Sequence, residues 1–447
     1  MRLLCLCDTP ESNTGFADVS HNLFSRLAPH FESIDCWGIN YHGWPNTPKY
    51  INRIFPAAHN GKPWQHPECI QKFLNVAASK NLGYTHLWMM QDTFNLCRFK
   101  LPEQIHRLSA EFGIRTFLYY PVDAALEPDW TDIVRAVDCP VAYTQYGKTE
   151  TLKAISNQLV DANKMGWIEA RSDTEIQVIP HGVDQSIFHP LPDREKLKKE
   201  YVIGTTKDGQ PIPLSAFLKD GEVLMVNVNT NQRRKDPVRS LVILKRLLDM
   251  GMPVKLIMHM SVNGDTVNLE EASKQLDLIM GVHWMPGKGF KGVKTKVGEA
   301  EQPHLTKEEL NVLYNCADIY LTTTLGEGWG LGVTEALAAG CLVAMPQHTS
   351  LTEIYETLRG MGEGDRILPI NIHDDPIALI DDNTRLRYQT RADDAAWAIY
   401  GAWSNGLIAG NKRQPLGEQA TKWLSWDSIA LKWMKLFRET KSVKERI

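Results

Sequence analysis

A glycine-rich stretch at residues 325–340 restricts the fold of this chain more than any other segment. An apolar run, Ile319–Leu321, precedes it and the helix-forming residues 335–339 end it, so its glycines fall where a parallel strand gives way to a helix. These glycines are Gly326, Gly328, Gly330 and Gly332. Small residues at such a turn let a ligand approach the backbone, and the helix N-terminus offers free N–H groups to phosphate oxygens. The stretch therefore predicts a phosphate-binding turn.

Two carboxylates flank this turn, because Glu327 precedes the helix and Glu335 lies in its first turn. Carboxylates repel phosphate but accept hydrogen bonds from hydroxyl groups. Glu335 alone would also fit an ordinary helix N-terminus, where the helix dipole stabilises an acidic residue. Together, the glycines and the two carboxylates predict a ligand with both phosphates and vicinal hydroxyls, which describes a nucleotide diphosphate sugar.

The frame Glu-Gly-Trp-Gly-Leu-x-x-x-Glu-Ala-x-Ala-x-Gly at 327–340 closely resembles the signature of retaining glycosyltransferases of the GT-B group, the glycosyltransferase family 4 or glycosyl transferases group 1 class. Residues 179–188 resemble the segment that ends the first domain in that family. The resemblance implies an α/β fold with two Rossmann-like, doubly wound domains, a cleft between them and a C-terminal helix crossing back onto the first domain. It also implies a retaining, metal-independent reaction with no cofactor beyond the nucleotide sugar as co-substrate.

The order of apolar segments also predicts two domains. At 447 residues the chain exceeds the size of one hydrophobic core, and strand-like runs alternate with helical patterns in two series, which indicates parallel sheets covered on both faces. The proline-rich segment 184–213 is interpreted as the inter-domain connection. We expect an acceptor-side domain at 1–195, completed by a helix at 426–447, and a donor-binding domain at 196–425. The strand-like runs are 2–7, 34–37, 85–90, 115–120, 141–144, 175–179, 223–228, 254–259 and 319–322.

A basic segment follows the first strand-like run of the second domain. Residues 226–237 resemble the family's diphosphate clamp, in which Lys235 matches best and the family's arginine six residues earlier is Asn229. We expect Arg233 or Arg234 to have taken over that role. Such cations would stabilise a nucleotide diphosphate as leaving group, Arg bidentately and Lys as a point charge. The alternative interpretation is a solvated, charged surface loop.

The resemblance assigns roles around the predicted helix N-terminus. It implies that Glu335 binds the ribose of the nucleotide and that Glu327 faces the hydroxyls of the sugar. Backbone N–H groups near Leu331 and Gly332, directly after Gly330, would bind the diphosphate. An acceptor hydroxyl then attacks from the face that the leaving diphosphate vacates, so that no side-chain nucleophile is needed.

Two residues of the first domain are further candidates, each with an alternative. Gly15 precedes a helical pattern at 16–27 and is either a turn glycine or a contact for phosphate or acceptor. Asp123 follows the strand-like run 115–120, where many relatives carry a histidine beside the donor sugar. It either accepts a hydroxyl hydrogen bond or stabilises positive charge at the anomeric carbon, or it caps the next helix.

Several alternatives stay open at this point. An epimerase or a phosphorylase has the same architecture, and a nucleotide-sugar-binding protein would use the scaffold without catalysis. The acceptor is a glycan, a lipid, a small molecule or modified DNA, the last as in phage-type glycosyltransferases that act on hydroxymethylated bases. The lysine-rich segment 287–296 is either a solvated hairpin, a lid over the nucleotide or a grip on an anionic acceptor.

The composition bears on partners and compartment. A formal net charge of −4 gives no general attraction to nucleic acid or anionic membranes. The eight cysteines form no Cys-x-x-Cys pair, as is typical of reduced thiols, and no apolar run has the length of a signal peptide or a transmembrane segment. The sequence also has no Asp-x-Asp motif for a divalent cation. We therefore expect a cytoplasmic protein that binds no metal.

Overall fold

The structure is a computed structural model that describes residues 1–12, 14–39, 41, 47–57, 67–98, 101–159, 175–205, 210–264, 267–288, 305–379, 385–410 and 414–446. The chain divides into two compact units: the first comprises Met1–Gly182 and Trp423–Ile447, and the second comprises Val183–Lys422. Each unit is built around one parallel sheet.

The strands are β1 (Arg2–Asp8), β2 (Ser33–Ile39), β3 (Arg53–Pro56), β4 (His86–Met90), β5 (Arg115–Tyr120), β6 (Cys139–Ala142), β7 (Gln177–Val178), β8 (Val202–Thr205), β9 (Pro211–Pro213), β10 (Val223–Val228), β11 (Val254–His259), β12 (Trp284–Pro286), β13 (Ile319–Leu321), β14 (Leu342–Pro346), β15 (Ile367–Ile370), β16 (Ile377–Leu379) and β17 (Arg385–Arg387).

The α-helices are α1 (Gly15–Leu27), α2 (Pro67–Ala78), α3 (Thr93–Arg98), α4 (Leu101–Phe112), α5 (Asp132–Ala136), α6 (Gln145–Leu159), α7 (Arg194–Glu200), α8 (Leu214–Phe217), α9 (Pro237–Asp249), α10 (Leu269–Gln275), α11 (Lys307–Cys316), α12 (Leu331–Ala338), α13 (Thr349–Gly360), α14 (Ala392–Ser404), α15 (Leu407–Gly410), α16 (Glu418–Trp423), α17 (Trp426–Glu439) and α18 (Val443–Arg446).

The first unit has a seven-stranded sheet in the order β3-β2-β1-β4-β5-β6-β7. Its central strands are near-continuous apolar runs because both faces are covered. One face packs on a core that includes Leu4, Leu87 and Leu118. This order winds outward in both directions from the neighbouring strands β1 and β4, as in doubly wound folds.

The C-terminal helix α17 covers the other face of the first sheet. Its Trp433 ring lies 5.8 Å from the Trp88 ring on β4, and its Phe437 ring lies 4.8 Å from the Phe117 ring on β5. The Phe437 carbonyl also accepts a hydrogen bond from His86 Nε2 at 3.0 Å. The predicted return of the C-terminal helix to the first domain is confirmed.

The two units divide earlier than residue 195, where the sequence suggested a boundary. Residues 183–213 do not form a bare connection, since they contain α7, β8 and β9 and belong to the second unit. The reason is a set of contacts near α11: the Asn315 Oδ1 atom accepts from Leu191 N at 2.8 Å, and Arg194 forms an ion pair with Asp318. These contacts attach the proline-rich segment to the second unit.

The second unit has a six-stranded sheet in the order β12-β11-β10-β13-β14-β15. Its core lies between the sheet and the helices α9 and α14, with buried Leu244, Leu256 and Ile399 among its members. Two antiparallel pairs, β8 with β9 and β16 with β17, lie outside this sheet. The second sheet is also doubly wound, and its direction of winding reverses between β10 and β13.

Candidate functional site

The basic segment and the glycine-rich stretch meet where the second sheet reverses direction. Strand β10 pairs with β13 through Met225 with Ile319 and Val226 with Tyr320. The loops at 229–236 and 322–330 follow these two strands at the same edge. Ligands of doubly wound sheets bind at this position, outside the carboxyl ends of the strands.

Backbone hydrogen bonds hold the two loops together. Residues Arg233–Lys235 form a short 3-10 helix, and the Arg234 carbonyl accepts from Leu325 N at 2.7 Å. The Thr323 hydroxyl donates to the Asp236 carbonyl at 2.8 Å. The backbone of the basic segment is therefore fixed against the strand-to-helix turn.

Two of the predicted cations, Lys235 and Arg234, lie beside the Glu327 carboxylate. Lys235 Nζ lies 2.5 Å from Glu327 Oε1, and Arg234 Nη1 lies 3.6 Å from Glu327 Oε2 while donating to the Gly326 carbonyl at 2.6 Å. Arg233 is exposed. Asn229 donates from its amide to Asn227 Oδ1 at 2.8 Å. Of the two arginines, the structure brings Arg234 to the carboxylate.

The electrostatics of Glu327 follow from this pairing. Burial alone would raise its pKa, but the charges of Lys235 and Arg234, together with hydrogen bonds from Lys235 and Thr324, outweigh burial and hold the pKa below its ordinary value. Glu327 is therefore a carboxylate at neutral pH, and it pairs with Lys235 and Arg234.

The start of helix α13 fixes the backbone of Glu327. Thr349 Oγ1 accepts from Glu327 N at 3.1 Å, and Ser350 Oγ donates to the Glu327 and Trp329 carbonyls at 2.8 Å each. Thr349 has φ of 51°, which is strained for a β-branched residue. Strain of this kind is found where the surroundings hold a functional loop in place.

Gly330 is required by the turn and by close packing, and Gly332 by close packing alone. Gly330 caps α12 with φ of 105°, and a Cβ atom there would lie 2.9 Å from Leu351 Cδ2. A Cβ atom on Gly332 would lie 2.6 Å from the Tyr320 hydroxyl. In the described part of the chain, the backbone N–H groups of Leu331 and Gly332 have no acceptor. The N-terminus of α12 thus presents two open donors.

Glu335 lies one turn further into α12 and is 8% exposed. Tyr314, on the neighbouring helix α11, donates its hydroxyl to Glu335 Oε2 at 3.3 Å. Lys307, at the start of the same helix, lies 3.4 Å from Glu335 Oε1 and 5.9 Å from the centre of the Phe188 ring. Helix α11 therefore orients this carboxylate.

The first-domain candidates lie in the first unit. Gly15 is the exposed first residue of α1, after Thr14, whose hydroxyl caps the helix by accepting from Ala17 N at 3.1 Å. Asp123 is half-buried in a bend after β5. The alternative that Asp123 caps the next helix is wrong, because the next helical turn begins at Pro128 and Glu127 is its cap residue.

The residues that hold the two glutamates are not marked by any motif in the sequence. His348, Thr349 and Ser350 follow β14, the next strand of the sheet beyond β13. Polar residues directly after an apolar strand were the available signal. Lys307 and Tyr314 lie on α11, where helical spacing alone did not separate them from core and surface residues.

The structure describes only the start of the lysine-rich segment. Of the lysine-rich segment 287–296, residues 289–296 lie outside the described residues, while Lys288 pairs with Glu309 at 2.5 Å.

Across the described ranges, no group of three or more His, Cys, Asp or Glu side chains is arranged to hold a metal ion. In those ranges there is also no helix with the length and apolarity needed to cross a membrane.

Comparison with known proteins gives structural likeness without sequence likeness. No protein-family model and no curated protein matches the chain. The structure is similar to a sucrose-phosphate synthase from Thermosynechococcus elongatus, with a TM-score of 0.65, 14% identity and 98% of each chain covered. It is also similar to a glycosyltransferase from Rickettsia africae ESF-5, with a TM-score of 0.63, 13% identity and 98% of each chain covered.

A third similar structure is an alpha,alpha-trehalose-phosphate synthase (UDP-forming) from Burkholderia vietnamiensis, with a TM-score of 0.61 and 12% identity, covering 98% of this chain and 97% of that one. These likenesses extend over the whole chain and at this identity show the fold. The protein has the α/β GT-B fold that the sequence predicted.

Proposed function

We propose that the protein is a retaining glycosyltransferase that moves a sugar from a nucleotide diphosphate sugar to an acceptor hydroxyl without a metal ion. The observation that carries the proposal is the convergence of Lys235 and Arg234 on Glu327, beside the open N–H groups of α12. Cations, free backbone donors and a carboxylate at the switch point of a doubly wound sheet match the phosphates and hydroxyls of such a donor.

The diphosphate is bound by Lys235, Arg234 and the N–H groups of Leu331 and Gly332. Its negative charge grows as the glycosidic bond breaks, so donors that are already in place lower the barrier. In the absence of donor, Glu327 neutralises Lys235 at 2.5 Å. The entering diphosphate replaces Glu327 as the partner of Lys235, which frees the carboxylate to accept hydrogen bonds from the sugar.

Glu335 binds the ribose. Its carboxylate is held by Tyr314 and Lys307 from the side of α11, one helical turn beyond the diphosphate-binding N–H groups. Two hydroxyls of a ribose would donate to its two oxygens. Because Glu335 is buried, the loss of these hydrogen bonds would be costly.

The bond changes require no side-chain nucleophile. The acceptor oxygen attacks the anomeric carbon from the face that the diphosphate leaves, the carbon–oxygen bond to the phosphate breaks with its electron pair, and a phosphate oxygen takes the acceptor proton. Asp123, at the carboxyl end of β5, is proposed to accept a sugar hydroxyl or to stabilise the positive charge at the anomeric carbon. The configuration at that carbon is retained.

UDP-sugars are proposed as the first donors to test, with GDP-sugars second. One structural neighbour is a UDP-forming synthase. The cytoplasm is the proposed compartment, because the described cysteines are free thiols and all except Cys97 are buried, as in proteins of reducing environments.

The test is incubation of the protein with UDP-, GDP- and ADP-sugars and a panel of acceptors, in EDTA, with mass spectrometry of the products. We expect a sugar-transfer product in EDTA, with the donor's anomeric configuration by NMR, and none from Glu327→Gln. Activity abolished by EDTA and restored by manganese or magnesium would contradict the metal-independent mechanism. An inverted product would contradict retention, and an epimerised free sugar would identify an epimerase.

A further inference from the structure

Two residues with strained backbone adjoin the pair formed by Lys235 and Glu327. Among the described residues, four that are not glycine have a positive φ, and two of these are Asp236, at 42°, and Thr349, at 51°. Asp236 follows Lys235 directly, and Thr349 Oγ1 accepts from Glu327 N at 3.1 Å. Such strain persists only where the surroundings hold it, and it is concentrated at functional sites. We therefore expect the strain at Asp236 to serve Lys235 as Thr349 serves Glu327.

Asp236 joins two helices with no loop between them. The 3-10 helix Arg233–Lys235 ends at Asp236, whose N–H donates to the Arg233 carbonyl at 2.9 Å, and α9 begins at Pro237. A proline favours an extended conformation for the residue before it, yet Asp236 is left-handed, with φ of 42° and ψ of 55°. Glycine adopts this conformation freely, whereas aspartate only tolerates it. The turn therefore needs a left-handed residue, and an aspartate there needs support.

Two side chains hold the carboxylate of Asp236, which is 16% exposed. Its Oδ2 atom accepts from the Gln389 side-chain amide at 3.2 Å and lies 3.4 Å from Arg239 Nε, on the first turn of α9. Arg239 is close in the sequence, whereas Gln389 is 153 residues away. The backbone of Gln389 is itself fixed, because its carbonyl accepts from His373 N at 2.8 Å. Gln389 is thus a fixed donor from a distant segment that supports the turn.

The conformation of Asp236 decides where Lys235 lies. The Asp236 carbonyl accepts from the Thr323 hydroxyl at 2.8 Å and from Arg239 N at 3.0 Å, so this carbonyl joins the strand-to-helix loop to α9. An extended backbone at position 236 would turn the carbonyl away from both donors and change the direction in which the 3-10 helix leaves α9. The Lys235 ammonium, now 2.5 Å from Glu327, would be displaced from that carboxylate.

We propose that Asp236 and Gln389 are positioning residues that hold the Lys235 ammonium beside Glu327. The hydrogen bond from Gln389 compensates for the left-handed strain at Asp236, and the strained turn directs Lys235. That Lys235 meets a diphosphate at this point rests on the proposed function, whereas the positioning itself does not. Asp236→Gly would make the same turn without strain, so in that variant the hydrogen bond from Gln389 should be dispensable.

Chemical labelling of lysines tests the position of Lys235 without catalysis. Reductive methylation modifies exposed amines faster than shielded, ion-paired amines, and mass spectrometry of peptides gives the rate at each lysine. Lys235 is 14% exposed, and Lys435, which is 71% exposed, is the internal reference. We expect Lys235 to react roughly tenfold or more slowly than Lys435 in the unmodified protein and in Asp236→Gly, because the amine is held by a charged hydrogen bond. In Asp236→Ala the two rates should differ by about threefold or less, because alanine disfavours a positive φ.

Gln389→Leu tests the support of the turn. It should raise the labelling rate of Lys235 about threefold or more in the otherwise unmodified protein and leave it unchanged in Asp236→Gly, since the two positions act through one turn. The matched control is Asp193→Ala, because Asp193 is also a left-handed aspartate at the start of a helix, with φ of 53° before α7. It should lower the unfolding temperature as Asp236→Ala does and leave the labelling of Lys235 unchanged.

Kinetics give a second measurement. With an active nucleotide sugar, Asp236→Ala should lower turnover about tenfold or more with little change in the apparent Michaelis constant, and Asp236→Gly should restore most of the turnover. If Asp236→Ala does not fold, the comparison of Gln389→Leu in the two backgrounds decides.

Labelling of Lys235 that is equally slow in Asp236→Ala and the unmodified protein overturns the proposal, as does labelling as fast as that of Lys435 in the unmodified protein. An equal effect of Gln389→Leu with and without Asp236→Gly overturns the role of Gln389. The expected labelling without sugar transfer from any nucleotide sugar would support the positioning of Lys235 while contradicting the proposed glycosyltransferase function.

Discussion

The Lys235 ammonium lies 2.5 Å from a carboxylate oxygen of Glu327, and 92 residues separate the two in the sequence. Their side chains are 14% and 12% exposed. Removing two charges from water costs free energy that their attraction only partly offsets, so such a pair is weak evidence for a purely stabilising role. Under the proposed function, the pair keeps a cation in place for the donor diphosphate.

Lys235→Ala should lower turnover more than it raises the apparent Michaelis constant, because the charge that Lys235 meets is largest as the diphosphate leaves. Removing one such electrostatic donor costs about 2.7–4 kcal/mol of barrier, a hundredfold or more in rate. Steady-state kinetics with the best nucleotide sugar measure the effect. Lys274→Ala is the matched control, since Lys274 is exposed on α10.

Replacements of Lys235 and Arg234 should be strongly non-additive, because both side chains contact the same carboxylate. Arg233→Ala should have the smaller effect of the two arginine replacements, since Arg233 is exposed. Wild-type turnover in Lys235→Ala, and in the triple replacement as well, would show that the diphosphate binds elsewhere.

The two glutamates should separate nucleotide binding from turnover. Glu335→Ala should weaken the binding of free nucleotide diphosphate by about 1.5–3 kcal/mol, the contribution of a hydrogen bond to a charged group. Glu327→Ala should abolish turnover and leave nucleotide binding equal or tighter, because it releases Lys235 from its carboxylate partner. Isothermal titration with UDP and GDP measures both effects.

Glu356→Ala is the control for this comparison, because Glu356 is exposed on α13 and pairs only at the surface with Arg359. Deoxyribose analogues of the nucleotide should bind the unmodified protein and Glu335→Ala alike. Equal affinity of Glu335→Ala and the unmodified protein for the ribose nucleotide would reject the ribose assignment.

Patterns within short segments of the sequence predicted much of the fold. The predicted runs 223–228, 254–259 and 115–120 coincide with the strands β10, β11 and β5. Such strands are recognisable in the sequence because a strand that is covered on both faces consists of consecutive apolar residues. The glycine-rich stretch predicted the turn into α12 because its glycines satisfy both positive φ and close packing. Each of these patterns lies within one short segment, so it can be recognised without knowledge of the tertiary structure.

The residues that orient the site could not be predicted in the same way. Thr349 and Ser350 contact Glu327 because β14 lies beside β13 in the sheet. The order of strands in a sheet cannot be deduced from any single segment of the sequence. The choice between Arg233 and Arg234 depends on the direction of one short 3-10 helix. The unit boundary at Gly182 depends on contacts such as Arg194 with Asp318, across more than one hundred residues.

Ser350→Ala should impair both stability and turnover. The single hydroxyl proton is shared between the carbonyls of Glu327 and Trp329, and this hydrogen bond contributes about 0.5–1.5 kcal/mol. Loosening the backbone of Glu327 should lower turnover with little change in nucleotide affinity. Urea unfolding and steady-state kinetics measure the two effects, and Ser404→Ala, on the exposed end of α14, is the control. Unchanged kinetics in a destabilised variant would limit Ser350 to a structural role.

His348 should make the second unit less stable in acid. Burial is the main cause that lowers its pKa from an ordinary value near 6.5 to about 4, and Nε2 donates to the Thr324 carbonyl at 3.0 Å. Because the unfolded chain binds a proton that the native state does not, the contribution is complete above pH 6.5 and is lost as the pH falls toward 4. The difference amounts to roughly 3 kcal/mol.

Urea unfolding of the second unit between pH 8 and about 4 tests this expectation. His348→Gln should flatten the acid limb of the profile by about one proton, whereas His373→Gln, at an exposed position of the same unit, should leave it unchanged. Activity should fall over the same range as stability, because the imidazole hydrogen bond holds Thr324 beside the glycine-rich turn. An acid limb that is identical in His348→Gln and the unmodified protein would show that His348 is not the group that titrates.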